Sequence, residues 1–243
     1  MNVHIHHFHC KGAVADQAAL EQFQKQWATY QKLVDHDSLA HKEAGAILHG
    51  ALAEIAQPFA FLDIACGDAG QMKAALAGTK VNHYHGIDLS EPALELAASN
   101  LEGVPFEVEF DHRDFVAALT KRSEPADAAW CGLSIHHLST GGKRDLLEAI
   151  RASTSRFLMI YEPTLNDGEA RDAYMERFAR VNRPAWSFFS DAEWDQLYHH
   201  VSTCDYPETS VTWCTLGREA GFSEAREIYC DPTGFYRIYR YDH

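Results

Sequence analysis

The chain has 243 residues, 46% hydrophobic and 23% charged, the composition of a globular protein at a length that suits one domain with appendages. Acids outnumber bases 35 to 21, for a formal charge of −14 with histidine neutral. So negative a surface repels phosphate backbones and speaks against a DNA or RNA substrate.

The first ten residues, MNVHIHHFHC, lack the basic start and apolar core of a signal peptide. His4, His6, His7, His9 and Cys10 are metal-capable side chains without established finger spacing, so no metal site is assigned to them. Up to residue 58 the pattern is helical. Leu20, Phe23, Trp27 and Tyr30 fall on one face, and Ala44, Ile47, Leu48 and Ala51 on another, after a cap at Ser38. The most apolar stretch, residues 51–66, is broken by Glu54, Gln57, Pro58 and Asp63, so no membrane span is expected.

Beyond Pro58 short apolar runs alternate with helical ones. Strands are expected at Phe59–Ala65, Val81–Ile87, Phe106–Phe110, Ala126–Leu133 and Phe157–Tyr161. Helices are expected at Gln71–Ala77, after the cap Ser90, and at Lys143–Ser153. That alternation implies crossover connections and a parallel sheet covered on both faces. The rhythm breaks from Asp167 to Tyr206. Here a helix over Ala170–Val181 and another opened by the capping box Ser190/Glu193 form an insertion. It resumes with a helix through Trp213, Leu216, Gly217 and Ala220, then strands at Glu224–Tyr229 and Phe235–Tyr241 around a Pro-Thr-Gly turn. A single domain is expected, with a helical N-terminal cap over 1–57 and a helical insertion over 165–207. The cysteines (Cys10, Cys66, Cys131, Cys204, Cys214, Cys230) contain no C-x-x-C pair, which fits a reduced, cytoplasmic setting.

The chemistry concentrates at strand ends. Asp63-Ile64-Ala65-Cys66-Gly67-Asp68-Ala69-Gly70 lies where a strand gives way to a helix, and its small residues let a ligand approach the backbone. Twenty-five residues on, Asp88 in Gly86-Ile87-Asp88-Leu89-Ser90 is placed to accept hydrogen bonds from ribose hydroxyls. A dehydrogenase would prefer G-x-G-x-x-G around a pyrophosphate. This loop reads A-C-G-D-A-G, and its Asp68 suits a cationic cofactor better than one with two phosphates.

Asp63-x-Ala65-x-Gly67-x-Ala69-Gly70, with Asp88, His112-Arg113-Asp114-Phe115 and Arg218-Glu219-Ala220-Gly221-Phe222, resembles the class I S-adenosylmethionine-dependent methyltransferases over residues 59–163 and 208–241. It departs from them at Ala65 and Ala69, where glycine is more usual. The resemblance implies a Rossmann-like, doubly wound α/β sheet of seven strands, mostly parallel with an antiparallel C-terminal strand, under a helical cap. It implies S-adenosylmethionine held by Asp63, Ala65, Gly67, Asp68, Asp88 and Leu89, with Asp114 and Phe115 at the adenine and Leu133 beside the methionine moiety. Tyr30 would reach the donor from the cap, where Trp27, Tyr30, His36 and His41 gather.

His136 and His137, in Gly132-Leu133-Ser134-Ile135-His136-His137-Leu138, are candidate acceptor-side bases, and Glu162 at the end of the fifth strand is a candidate partner. Each has an ordinary structural alternative: a turn cap for the histidines, a structural acid for Glu162. Glu169 and Arg171 are candidates for a substrate clamp or a surface pair. The expected acceptor is a small molecule, since neither an N-P-P-[YF] arrangement nor a Pro-Cys nucleophile is present and the cap would enclose a small pocket. Two rivals remain: a protein that binds or modifies the donor without methylating, and a metal-handling protein that uses the histidine-rich N-terminus.

Overall fold

The computed structural model describes residues 3–7, 29–120 and 124–243. At its centre, β1 (Val3–His7), β2 (Phe59–Ile64), β3 (Val81–Asp88), β4 (Glu107–His112), β5 (Ala126–Gly132), β6 (Thr154–Leu165), β8 (Glu224–Cys230) and β9 (Tyr236–Asp242) form one sheet. Their order is β1-β4-β3-β2-β5-β6-β9-β8, and the two-residue β7 (Glu208–Thr209) pairs with β6. All are parallel except β9, which runs antiparallel to β6 and to β8. The seven expected strands are β2 to β6, β8 and β9. The addition at the edge is β1, in a region expected to be helical. Its Val3-His4-Ile5-His6 alternation is the period-two signal of a strand.

The helices are α1 (residues 29–35), α2 (His41–Ala53), α3 (Met72–Leu76), α4 (Glu91–Asn100), α5 (Phe115–Leu119), α6 (Thr140–Ser153), α7 (Arg171–Ala185), α8 (Asp191–Cys204) and α9 (Ser210–Glu219). Among the described residues, none is long and apolar enough to cross a membrane. The strands are apolar on both faces because both are covered. Phe61, Ala128 and Met159 pack toward α2, α4, α7 and α8, and Leu62, Ala129 and Leu158 toward α5, α6 and α9. Leu48 and Leu52 of α2 are fully buried, and each such side chain contributes about 1.5–3 kcal/mol.

Local signals fix most helix starts. The Ser90 side chain accepts from Ala93 N at the start of α4, and Ser190 and Glu193 close a reciprocal capping box on α8. The expected cap at Ser38 is not formed. Helix α2 starts at His41, after Ala40 in a left-handed conformation (φ 50°) with no side-chain cap, because residues 36–39 are taken up by a turn closing on α1. Leu20, Phe23 and Trp27, with His9 and Cys10, lie outside the described residues.

The expected pairing of Glu169 with Arg171 is replaced by two separate contacts. Glu169, just before α7, holds Arg177 in the second turn of that helix through two bonds of 2.7 and 2.8 Å. Arg171 instead donates to the carbonyls of Val201 and Ser202 at 2.7 and 3.0 Å, tying α7 to the last turn of α8. The physical reason is end-of-helix chemistry: the terminal carbonyls of α8 have no helical partner and draw a cation.

Candidate active site

The strand order reverses between β2 and β5, and in open α/β sheets a ligand crevice lies at the carboxyl ends of the strands at such a point. A cavity of about 620 Å³ occupies it, a volume within the range of small-molecule sites. Its floor is the β2–α3 loop. To turn there the backbone enters the left-handed region at Ala65 (φ 54°), Gly67 (53°) and Ala69 (50°). Only the middle residue is glycine, so the two alanines carry strain of about 1 kcal/mol or more each.

Four carboxylates face this end: Asp63, Asp68, Asp88 and Asp114. Asp88, at the tip of β3, accepts from Gly67 N and Ser90 N, both at 2.8 Å, and so fixes the loop against the strand. Burial raises its pKa, against the lowering effect of those N–H groups. Asp63, 2% exposed, accepts from Tyr84 Oη at 2.7 Å. Its burial, with the negative charges of Asp88 and Asp68 nearby, pushes its pKa up to about 7. Asp68 receives Gly70 N at 3.0 Å, and Asp114 caps α5 by accepting from Ala117 N at 3.0 Å. No Lys or Arg lines the cavity among the described residues. The wall is completed by Ala65, Gly67, Leu89, Phe115 and Leu133, and by Tyr30 of α1, whose hydroxyl lies 3.0 Å from His41 Nε2. All ten residues expected at the donor therefore line one cavity.

The other end is built differently. Glu162, fully buried on β6, accepts from Ser134 N (3.1 Å), Ile135 N (2.9 Å) and His136 N (3.2 Å), and contacts His136 Nδ1 at 2.6 Å. Its carboxylate holds the loop after β5 and is not part of the cavity wall. His136 is 7% exposed and also stands behind the wall. Although burial opposes its charge, Asp205 and Glu162 raise its pKa overall. His137 reaches the cavity; its Nδ1 lies 3.4 Å from the Cys204 carbonyl and 3.3 Å from Asp205 Oδ1.

The opposite wall comes from α8, whose Gln196, Leu197 and His200 line the cavity and whose C-terminus is capped by Asp205. His136 Nε2 and His200 Nε2 also face Asp205 Oδ1, at 3.7 and 3.5 Å. Sequence reasoning missed His200 and Asp205. The available signal was the i, i+4 spacing of Gln196 and His200, which puts both on one side of α8.

Residues 61–156 match the family model of a methyltransferase domain. That match covers less than half of the chain; the topology and the acid-lined crevice around it are those of a doubly wound α/β fold. No curated protein matches the sequence. Among solved structures, the chain is similar to magnesium protoporphyrin IX methyltransferase from Synechocystis PCC 6803 with bound S-adenosylhomocysteine, at 13% identity, 94% of this chain, 95% of that one and a TM-score of 0.61. It is also similar to the plantazolicin methyltransferase BpumL in complex with a monoazolic desmethylPZN analog and S-adenosylhomocysteine (13%, 93% of each chain, TM-score 0.65). The mitomycin 7-O-methyltransferase MmcR is a third (15%, 95% of this chain, 62% of that one, TM-score 0.61). At such identities the likeness is one of fold.

Proposed function

We propose that the chain transfers the methyl group of S-adenosylmethionine to a small-molecule acceptor, as a single domain in which α1 and α2 form the cap, β1 joins the sheet and residues 165–207 are an insertion. The observation that carries this reading is the cavity's electrostatic sign. Four carboxylates and no lysine or arginine among its described residues suit a donor with a sulfonium and an ammonium, and disfavour a pyrophosphate. In this reading Asp88 takes the ribose hydroxyls, Asp114 and Phe115 the adenine, and the backbone from Ala65 to Gly67 with Asp63 and Asp68 the amino-acid end. Leu89 and Leu133 pack against the donor, and Tyr30 closes over it.

The acceptor stands toward His137. Bound S-adenosylmethionine would supply the methyl group, which the acceptor's lone pair would take in line as the neutral thioether leaves. With Nδ1–H directed at Asp205 and the Cys204 carbonyl, Nε2 of His137 holds the lone pair that takes the acceptor's proton. Glu162 and His136 serve as positioning residues through the loop. The walls supplied by α1, α2 and α8 favour a small-molecule acceptor, as do the similar enzymes, named for a magnesium protoporphyrin, a mitomycin and plantazolicin. The net charge of −14 and the free thiols of Cys66, Cys131, Cys204, Cys214 and Cys230 favour a reduced, cytoplasmic setting without nucleic-acid partners.

Incubation with methyl-labelled donor and a fractionated small-molecule extract tests this. Label in small organic products is expected. Label confined to protein or nucleic acid, or donor bound and never consumed, would overturn it and favour a donor-binding protein that does not methylate.

A further inference from the structure

Beyond methyl transfer, we propose that His136, His137 and Asp205, with His200 beside them, form a binding site for a divalent transition-metal ion at the acceptor end of the cavity. Three imidazole nitrogens converge on one oxygen, Asp205 Oδ1. His137 Nδ1 stands at 3.3 Å, His200 Nε2 at 3.5 Å and His136 Nε2 at 3.7 Å. The donor atoms of His136, His137 and Asp205 all lie within 4.8 Å of one another. These separations are long for hydrogen bonds, which run about 2.7–3.2 Å. They are near the edge of a tetrahedron of ligands about 2.0–2.1 Å from a zinc-like ion, roughly 3.4 Å.

Two further observations point the same way. Asp205 is 7% exposed, yet its Oδ1 makes no well-aligned hydrogen bond, its three imidazole contacts standing off at 3.3 Å or more. A buried carboxylate oxygen left in that state is costly. The second concerns His136. Its Nδ1 is engaged by Glu162 at 2.6 Å, so its other nitrogen, Nε2, faces the Asp205 carboxylate. That contact is repulsive unless a proton or a cation lies between. A histidine held by a buried carboxylate on its far nitrogen is the outer-shell arrangement of metal sites. Two imidazoles and one carboxylate select Zn(II), Co(II), Ni(II) or Cu(II) over Mg(II) and Ca(II). His137 and His200 line the cavity, which gives the ion its path of entry.

The site has a consequence that rests on the methyl-transfer reading. An ion on Nδ1 of His137 displaces the proton there to Nε2, and the ring can then no longer accept one from the acceptor. The loaded protein is thus the inactive one, and chelation restores turnover.

The test is titration of the tag-free full chain with Co(II), read by visible absorption, in a background where His4, His6, His7 and His9 are alanine. One equivalent with the intense bands of a tetrahedral site is expected. Asp205→Asn and His137→Ala should each abolish those bands, and Glu162→Gln should weaken binding by about 10- to 100-fold. Binding left intact by either Asp205→Asn or His137→Ala, or the absence of tetrahedral bands from the parent chain, would overturn the site. His137→Ala replaces an exposed residue, so retained circular dichroism separates lost ligation from lost folding. The absorption readout needs no turnover. A failure of the methyl-transfer reading therefore leaves the metal site standing, and loss of the metal site leaves donor binding unchanged.

Discussion

The two ends of the cavity are made by different means. The donor end is local: Asp63, the 65–70 loop and Asp88 lie within 26 residues of sequence, and main-chain N–H groups of Gly67 and Ser90 do much of the holding. The acceptor end is assembled from β6, the loop after β5 and the end of α8, which brings Asp205 to His136 and His137 across nearly 70 residues. A backbone-built end is fixed by the fold and tolerates side-chain change outside its acids. An end built by side chains from distant elements can change its chemistry without disturbing the sheet. The difference teaches where specificity can vary in this molecule.

Substitutions that separate the two ends put this to work. The largest effect is expected from His137→Ala, assayed with chelator present. Turnover should fall by about 10²- to 10⁴-fold, the range for removing a general base, while calorimetric donor affinity stays put. A variant that loses donor affinity instead would merge the two ends. Next is Glu162→Gln, which deprives the loop of a buried charge with four donors around it. Unfolding in urea should show a loss of about 3–5 kcal/mol, and a shift within error would mean the loop holds itself.

Asp88→Ala should weaken donor binding by about 1.5–3 kcal/mol, the worth of hydrogen bonds to a charged group, which is some 10- to 100-fold. The smallest effect is a pH dependence. Because burial lifts Asp63 to about 7, its carboxyl is largely protonated at pH 6 and ionised at pH 8. A cationic donor prefers the ionised form, so affinity should rise across that window with release of a proton. Histidines titrate in the same range, and the comparison with Asp63→Asn isolates the aspartate: its affinity should be flatter over the window. An identical slope would assign the dependence elsewhere.

The same contrast explains what the sequence made legible. Asp63, Gly67 and Asp88 sit at strand ends whose apolar runs and small-residue loop are contiguous, so pattern and chemistry are read together. Ala65 and Ala69 keep the left-handed turn that glycine would make easily, at the cost of strain that no pattern displays. His200 was hidden because the Trp194, Leu197 and Val201 stripe of α8 reads as packing, and nothing local says that the neighbouring face looks into a cavity. Glu162 drew attention as an acid at a strand end, and only its four donors show that it shapes a loop. β1 was lost to the helical reading of a region whose alternation spans only five residues.

The most direct test of the account is calorimetric titration of the full chain with S-adenosylmethionine and with S-adenosylhomocysteine. Saturable one-to-one binding of both is predicted, with the methylated, cationic compound losing more affinity than the neutral thioether when Asp63 is changed to Asn. Heat signals indistinguishable from dilution for both ligands would contradict it.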